Sequence, residues 1–500
     1  MSIIKRVIVS SVGNLTRAIA SFSSGLLIAR GLEPSDYGVF VFLLSSFSAL
    51  RLILDMGTSQ AFFSFISKKQ QPYFHYKVYL CWVFIQIIIS ILLISIIAPD
   101  EWILTIWRGE ERYMVLLAFL TVFLQQQVWE IISQIAESNR ETRKIQILNI
   151  GIAFSHFSLI LTFYILDKLS VSICFILIII EVLIALIFAR FYLSFLFLNK
   201  ETSLKKILIE YKEFCLPLIP YAWVSTIMVF LDTWLLQVFG GSLEQAYFGI
   251  GTQFSAISLL AAKSLLMILW KELAEASNLK NKVKIKNIFE NTISLMFLIT
   301  SFIAGLLIPW SKEVTLLLVG EKYVEGYYVI ILMFFYPIYQ SVGQLIGTAY
   351  LSLEMTKSYV VIGVISMTIS IILTCYFLFP KDYIVHGLNL GSFGIALKLV
   401  LMGILTLNIQ LWWISKINNW EINYLSQILC IPVNIIIGYL CYLITTNIFN
   451  EDLNFIIKLI FSSFSYVIIT IFLMIKFSFL FGIKREKINE LIKNLKLSLK

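Results

Sequence analysis

Apolar runs of about 18 or more residues recur from one end of the chain to the other, separated by short polar turns. Each is long enough to cross a bilayer as a helix. The alternating short segments of a transmembrane barrel do not match this pattern. Fourteen spans are predicted, at roughly 8–29, 37–66, 76–98, 113–136, 145–166, 170–196, 214–239, 247–270, 288–310, 325–352, 358–379, 392–414, 425–446 and 455–480. Within several of them polar residues fall on one helix face. Ser10, Asn14, Arg17, Ser21 and Ser24 follow one another at steps of three and four in span 1. Span 2 repeats this with Ser48, Arg51, Asp55 and Ser59, and span 4 with Gln126, Glu130, Ser133 and Glu137. Span 7 places Tyr221, Ser225 and Asp232 on one side, and span 10 carries Tyr336, Gln340, Gln344 and Gly347. Spans 3, 5, 6, 9, 13 and 14 are greasier and read as lipid-facing or scaffold helices. The stripes predict a hydrated cavity lined chiefly by spans 1, 2, 4, 7, 8 and 10. Interhelical hydrogen bonding is the competing explanation for any single stripe.

Composition agrees with a membrane protein. Of 500 residues, 59% are hydrophobic and 14% charged, against about a quarter charged in soluble domains. The net charge of +9 reads as loop lysine and arginine that set orientation, not as a nucleic-acid surface. Counted by loop, 25 Lys and Arg lie on one side and 7 on the other. By the positive-inside rule both termini are cytoplasmic, and the expected location is a bacterial cytoplasmic membrane. The tail over 482–500 is either a basic amphipathic helix on anionic lipid or a solvated tail. The six cysteines lie in apolar segments without metal or disulfide spacing, and the three histidines are scattered. No nucleophile triad, zinc motif or phosphate loop is present, so an enzyme, a metal and a cofactor are not expected.

Charges inside spans are costly and usually face a wet cavity or a partner. Arg17, Arg51, Lys263 and Lys398 lie deep, and Asp55, Glu130, Glu181 and Asp232 are the acidic counterparts. Arg51 and Asp55, four residues apart, either neutralise each other or open onto the cavity. Arg17 has no acidic residue in its stripe. An internal repeat also shows: GLEPSDYGVF at Gly31 faces GSLEQAYFGI at Gly241, 210 residues on, with Tyr37 and Tyr247 in register. The expected architecture is therefore an all-α polytopic membrane protein with two six-helix lobes around a central hydrated cavity. It divides as an N-terminal lobe (1–198), a cytoplasmic linker (199–213), a C-terminal lobe (214–414), two added helices (415–481) and the tail. Repeated lobes of this kind are common in transporters, whose sites lie between them.

Three stretches carry a resemblance: LLIARGLEPSDYGVFVFLLSSFSALRLILDMGTSQAFFSFISKK (Leu26–Lys69), LPLIPYAWVSTIMVFLDTWLLQVFGGSLEQAYFGIG (Leu216–Gly251) and LLLVGEKYVEGYYVIILMFFYPI (Leu316–Ile338). Together they resemble the polysaccharide and O-antigen flippases of the multidrug/oligosaccharidyl-lipid/polysaccharide superfamily. The second departs from many relatives in having Thr233 after Asp232 where they have arginine. The resemblance implies a transporter of twelve or fourteen helices that moves lipid-linked oligosaccharide, on undecaprenyl diphosphate, to the outer leaflet. In that reading Arg17, Arg51, Lys263 and Lys398, with Asn14, Gln340 and Gln344, bind the diphosphate and sugars. Asp55, Asp232 or Glu130 would couple H⁺ or Na⁺. Partners would be membrane lipids, a polysaccharide polymerase and a chain-length regulator. The rivals are a drug/cation antiporter of the same superfamily, which would prefer an acidic lumen, and a membrane polysaccharide polymerase, which would need a larger outer loop.

Overall fold

The computed structural model describes residues 3–68, 70–194, 203–278, 282–353, 355–383, 385–418, 420, 424–449 and 454–481; side chains within 3–8, 221, 260–284, 351–352 and 425–426 lie outside that description. The basic tail over 482–500 also lies outside it. By contacts the chain forms two compact units, Met1–Ala246 and Tyr247–Lys500.

Among the described residues twelve helices are long and apolar enough to cross a membrane. The long helices α1 (Ile3–Gly31) and α12 (Gly241–Asn278) complete the fourteen segments expected. The protein is a multi-pass, all-helical membrane protein.

The first unit contains α1, α2 (Pro34–Asp55), α3 (Thr58–Lys68), α4 (Tyr73–Leu92), α5 (Asp100–Ile106), α6 (Arg112–Val122), α7 (Trp129–Ser138), α8 (Thr142–Ile165), α9 (Val171–Tyr192), α10 (Leu204–Cys215) and α11 (Ile219–Phe239). π-turns over Leu93–Ile97 and Phe123–Val128 prolong α4 and join α6 to α7. Glycine sets the closest helix approaches. Gly13 leaves room for Gln146 where α1 meets α8, and Gly38 leaves room for the Ser242 carbonyl. Helix α11, which the sequence assigns to the start of the second lobe, packs against α2 within this unit. Helix α9 presents Ile180, Leu183, Ile187, Phe188 and Phe191 outward, as a helix facing lipid should.

The sequence predicts one span over 37–66, but the structure breaks it after Asp55. Met56 and Gly57 both take left-handed backbone, with φ of 50° and 78°, and α3 starts afresh at Thr58. Hydropathy runs unbroken through the break and hides it. The freed Leu54 carbonyl is satisfied from α4 by Gln86 Nε2, at 2.5 Å. At the α7–α8 corner, Glu141 accepts from Lys144 Nζ (2.6 Å) and from the Ser194 N–H (2.9 Å). Its burial pushes the carboxyl up, but these bonds outweigh it and hold Glu141 below the usual carboxylate range.

The second unit contains most of α12, then α13 (Lys282–Leu307), α14 (Ser311–Leu318), α15 (Tyr327–Ser352), α16 (Thr356–Leu378), α17 (Gly391–Asn418), α18 (Leu425–Ile448) and α19 (Phe455–Lys476). Its element order echoes the first. In each unit a short helix follows a long one, α5 after α4 and α14 after α13. In each, a left-handed glycine then precedes a glutamate: Gly109–Glu110 with φ 95°, and Gly320–Glu321 with φ 107°. These two glycines lie 211 residues apart, one residue off the offset of Tyr37 and Tyr247.

The two added helices dock on α13. Gly305 and Gly438 lie against each other, so that a Cβ at Gly438 would overlap the Gly305 carbonyl oxygen. Asn434 Nδ2 donates to Ser301 Oγ (2.8 Å), and Tyr466 Oη to the Phe302 carbonyl (3.0 Å). Gly438→Val is expected to separate α18 from α13 and cost about 1–3 kcal/mol, read as a lower melting temperature of the purified protein. Gly343→Ala, at a glycine with open space around it, is the control and should melt like the parent.

Candidate functional site

The polar residues of α2 meet those of the α6–α7 connection. Arg51 Nη1 donates to Gln127 Oε1 (2.6 Å), and Gln127 Nε2 donates to Asp55 Oδ1 (3.1 Å). One amide thus bridges the cation and the carboxylate, with each end of its dipole facing the charge that favours it. Asp55, only 4% exposed, also accepts from Thr58 Oγ1 (3.2 Å), Ser59 N (3.0 Å) and Ser59 Oγ (2.8 Å). It caps the first turn of α3. The relay replaces the direct Arg51–Asp55 neutralisation that their spacing suggests. One turn earlier, Gln126 Nε2 donates to Ser48 Oγ (2.7 Å).

Gln127 carries no signal in the sequence, because an uninterrupted helix puts Gln126 and Glu130 on one face and turns Gln127 away. The π-turn over Phe123–Val128 adds a residue to the turn, so Gln126 and Gln127 both reach α2. Wide turns of this kind recur at functional sites.

Arg51 is only partly used by the protein. Its Nε is buried and has no hydrogen-bond partner among the described residues. Glu130 lies within electrostatic reach of both Arg51 and Arg17, and both Glu130 and Arg17 are exposed. The first unit therefore brings together Arg17, Arg51, Asp55 and Glu130, two cations and two carboxylates, with Asp55 fully engaged. Asn14 lies on α1 and donates to Ser10 Oγ at 3.4 Å. Asp232 is half-buried on α11. In the second unit Lys398 is 1% exposed, Gln340 is half-buried and Gln344 exposed. The side chain of Lys263, on α12, lies outside the described residues.

Two of the greasy helices hide an ionisable pair. His156 Nδ1 on α8 lies 3.1 Å from the Glu181 carboxylate on α9. Only helix adjacency makes this pair, so neither residue alone announces it.

No protein-family model matches the chain, and no curated relative matches it. Solved structures do. The lipid II flippase MurJ, in an inward closed conformation, superposes with a TM-score of 0.67 at 16% identity, over 93% of this chain and 99% of the other. The chain has the MOP-superfamily fold. Two further members of that superfamily agree. A transporter from Pyrococcus furiosus, described as having a binding pocket of reverse polarity, gives 0.56 at 12% identity, over 83% of this chain and 95% of the other. An outward-facing multidrug resistance MATE family transporter gives 0.55 at 14%, over the same shares of each chain. At such identities the MOP likeness is one of fold. The MurJ superposition takes in a tenth more of this chain than the other two, about the length of two spans.

Proposed function

We propose that the protein is a flippase. It moves undecaprenyl-diphosphate-linked oligosaccharide repeat units from the inner to the outer leaflet of a bacterial cytoplasmic membrane, by ion-coupled alternating access. The product feeds O-antigen, capsule or exopolysaccharide synthesis, next to a polymerase and a chain-length regulator.

The observation that carries this reading is Arg51. Its guanidinium is oriented by Gln127 through one nitrogen and keeps a buried, unpartnered Nε. A planar cation held through one nitrogen, with donor capacity the protein leaves unfilled, is suited to a phosphate oxygen pair. Arg17 adds a second positive charge, and Lys263 and Lys398 remain candidate cations of the second unit. The fuller superposition on a lipid II flippase than on a multidrug transporter supports a lipid-linked cargo over a drug. For coupling to H⁺ or Na⁺ we favour Glu130. It is exposed beside the two arginines, whereas the carboxylate of Asp55 is occupied by cap and bridge hydrogen bonds. Asp232 is the alternative.

The test is made in cells. Spheroplasts lacking the protein should hold lipid-linked repeat units inaccessible to a membrane-impermeant glycan label, and restoring the protein should expose them. Unchanged labelling without the protein, together with export of a cationic dye by it, would favour the antiporter reading.

A further inference from the structure

Next to Arg51 lies a second feature of the first unit. Helix α2, the π-turn and α11 enclose a cleft of about 520 Å³, within the range of small-molecule sites. Ser45, Ser48, Gln125, Gln126, Ser225 and Thr226 supply its polar lining, with aliphatic side chains of α2 and α11 between them, and no lining residue among the described ones is charged. Thr226 is 2% exposed, and its Oγ1 has no hydrogen-bond partner among the described residues. An orphaned buried hydroxyl costs about 1–3 kcal/mol, and such groups usually have a partner in the working molecule. The side chain of Gln125 is exposed at the same place.

Position decides what that partner is. Ser48 precedes Arg51 by three residues, a rise of about 4.5 Å along α2. A diphosphate held at Arg51 would leave the sugar bonded to it within reach of Ser48 and Gln126, one turn away along α2. A pyranose presents hydroxyls at its edge and C–H groups on its faces, and the lining offers hydroxyls and amides set among aliphatic carbons. A sugar carboxylate would lose its water there to neutral groups only.

We propose that this cleft is the subsite for the first sugar of the lipid-linked substrate, and that it takes an uncharged sugar in preference to a uronic acid. The proposal rests on the flippase reading, in which Arg51 holds the diphosphate.

The test compares binding of four lipids to purified protein in nanodiscs: undecaprenyl diphosphate alone, and the same lipid carrying N-acetylglucosamine, galactose or glucuronic acid. At least one neutral sugar is expected to tighten binding about tenfold over the bare lipid, and glucuronic acid to add nothing. Thr226→Val and Gln126→Leu should each reduce the sugar increment about two- to tenfold, the equivalent of a lost hydrogen bond. Both should leave the bare lipid's Kd unchanged, which also reports intact folding, and Thr226→Ser should keep the increment. An increment that survives both substitutions, an increment larger for glucuronic acid, or none for either neutral sugar would overturn the subsite. If bare lipid does not bind the parent protein, or binds Arg51→Ala equally well, the headgroup reading itself fails and the subsite falls with it.

Discussion

Arg51→Ala abolishes surface polysaccharide while the protein remains inserted and expressed; this is the largest functional effect expected of a single substitution. Arg51 sits on the face of α2 that meets the π-turn, and Gln127 fixes its Nη1. Truncation removes charge-assisted hydrogen bonds to an anionic headgroup, each worth about 1.5–3 kcal/mol. The corresponding loss of affinity is about 10- to 150-fold. Arg51→Lys should recover little, because an ammonium is a point charge that cannot serve Gln127 and a phosphate along two edges at once. Arg17→Ala should show the same phenotype, since Arg17 shares the electrostatic neighbourhood of Glu130. Membrane abundance by immunoblot separates loss of transport from loss of protein. Wild-type polysaccharide in a well-expressed Arg51→Ala strain would contradict the site.

Asp55 is expected to behave in the opposite way, failing in folding before it fails in transport. Asp55→Ala strips acceptors from Thr58, Ser59 and Gln127 at a position 4% exposed. It also leaves Arg51 without its bridged counter-charge. Stranding these donors at a buried position costs about 1–3 kcal/mol each, enough to lower the melting temperature steeply and deplete the protein from the membrane, whereas Arg51→Ala leaves Asp55 its hydrogen bonds. Asp55→Asn keeps one carbonyl oxygen for Ser59 N and Gln127, and its amide can donate to Ser59 Oγ. It should therefore preserve most of the protein and transport within several-fold of the parent. Glu130→Gln should leave stability nearly unchanged, because Glu130 is exposed, yet make transport insensitive to an imposed ion gradient. A well-folded Asp55→Asn protein that has lost gradient dependence would transfer the coupling role to Asp55.

These residues also show how far the sequence could be read. The fourteen long helices were legible because helix length against bilayer thickness is a property of composition alone. Arg51 and Asp55 were legible as charges four residues apart in an apolar span. Their true relation was not, because Gln127 reaches them only through a π-turn that no periodicity betrays. The break at Met56–Gly57 was hidden for a similar reason: apolar residues continue on both sides, and what ends the helix is a left-handed backbone with an aspartate cap. Along the sequence His156 and Glu181 are isolated polar residues in greasy helices, and only the packing of α8 on α9 pairs them. The repeat shows in the sequence as a faint match around Tyr37 and Tyr247, and the positive-φ glycines at Gly109 and Gly320, 211 residues apart, parallel it.

In the proposed function a diphosphate-linked sugar lipid crosses the membrane through a site centred on Arg51. The most direct measurement is translocation in proteoliposomes loaded with a fluorescent undecaprenyl-diphosphate saccharide. The fraction of lipid that reaches the outer leaflet is followed with an impermeant quencher, for the parent protein and for Arg51→Ala. Ion-gradient-stimulated translocation by the parent and a rate at the protein-free baseline for Arg51→Ala are expected. Parent and variant rates that are equal, or no translocation above baseline by well-folded parent protein, would contradict the proposed function.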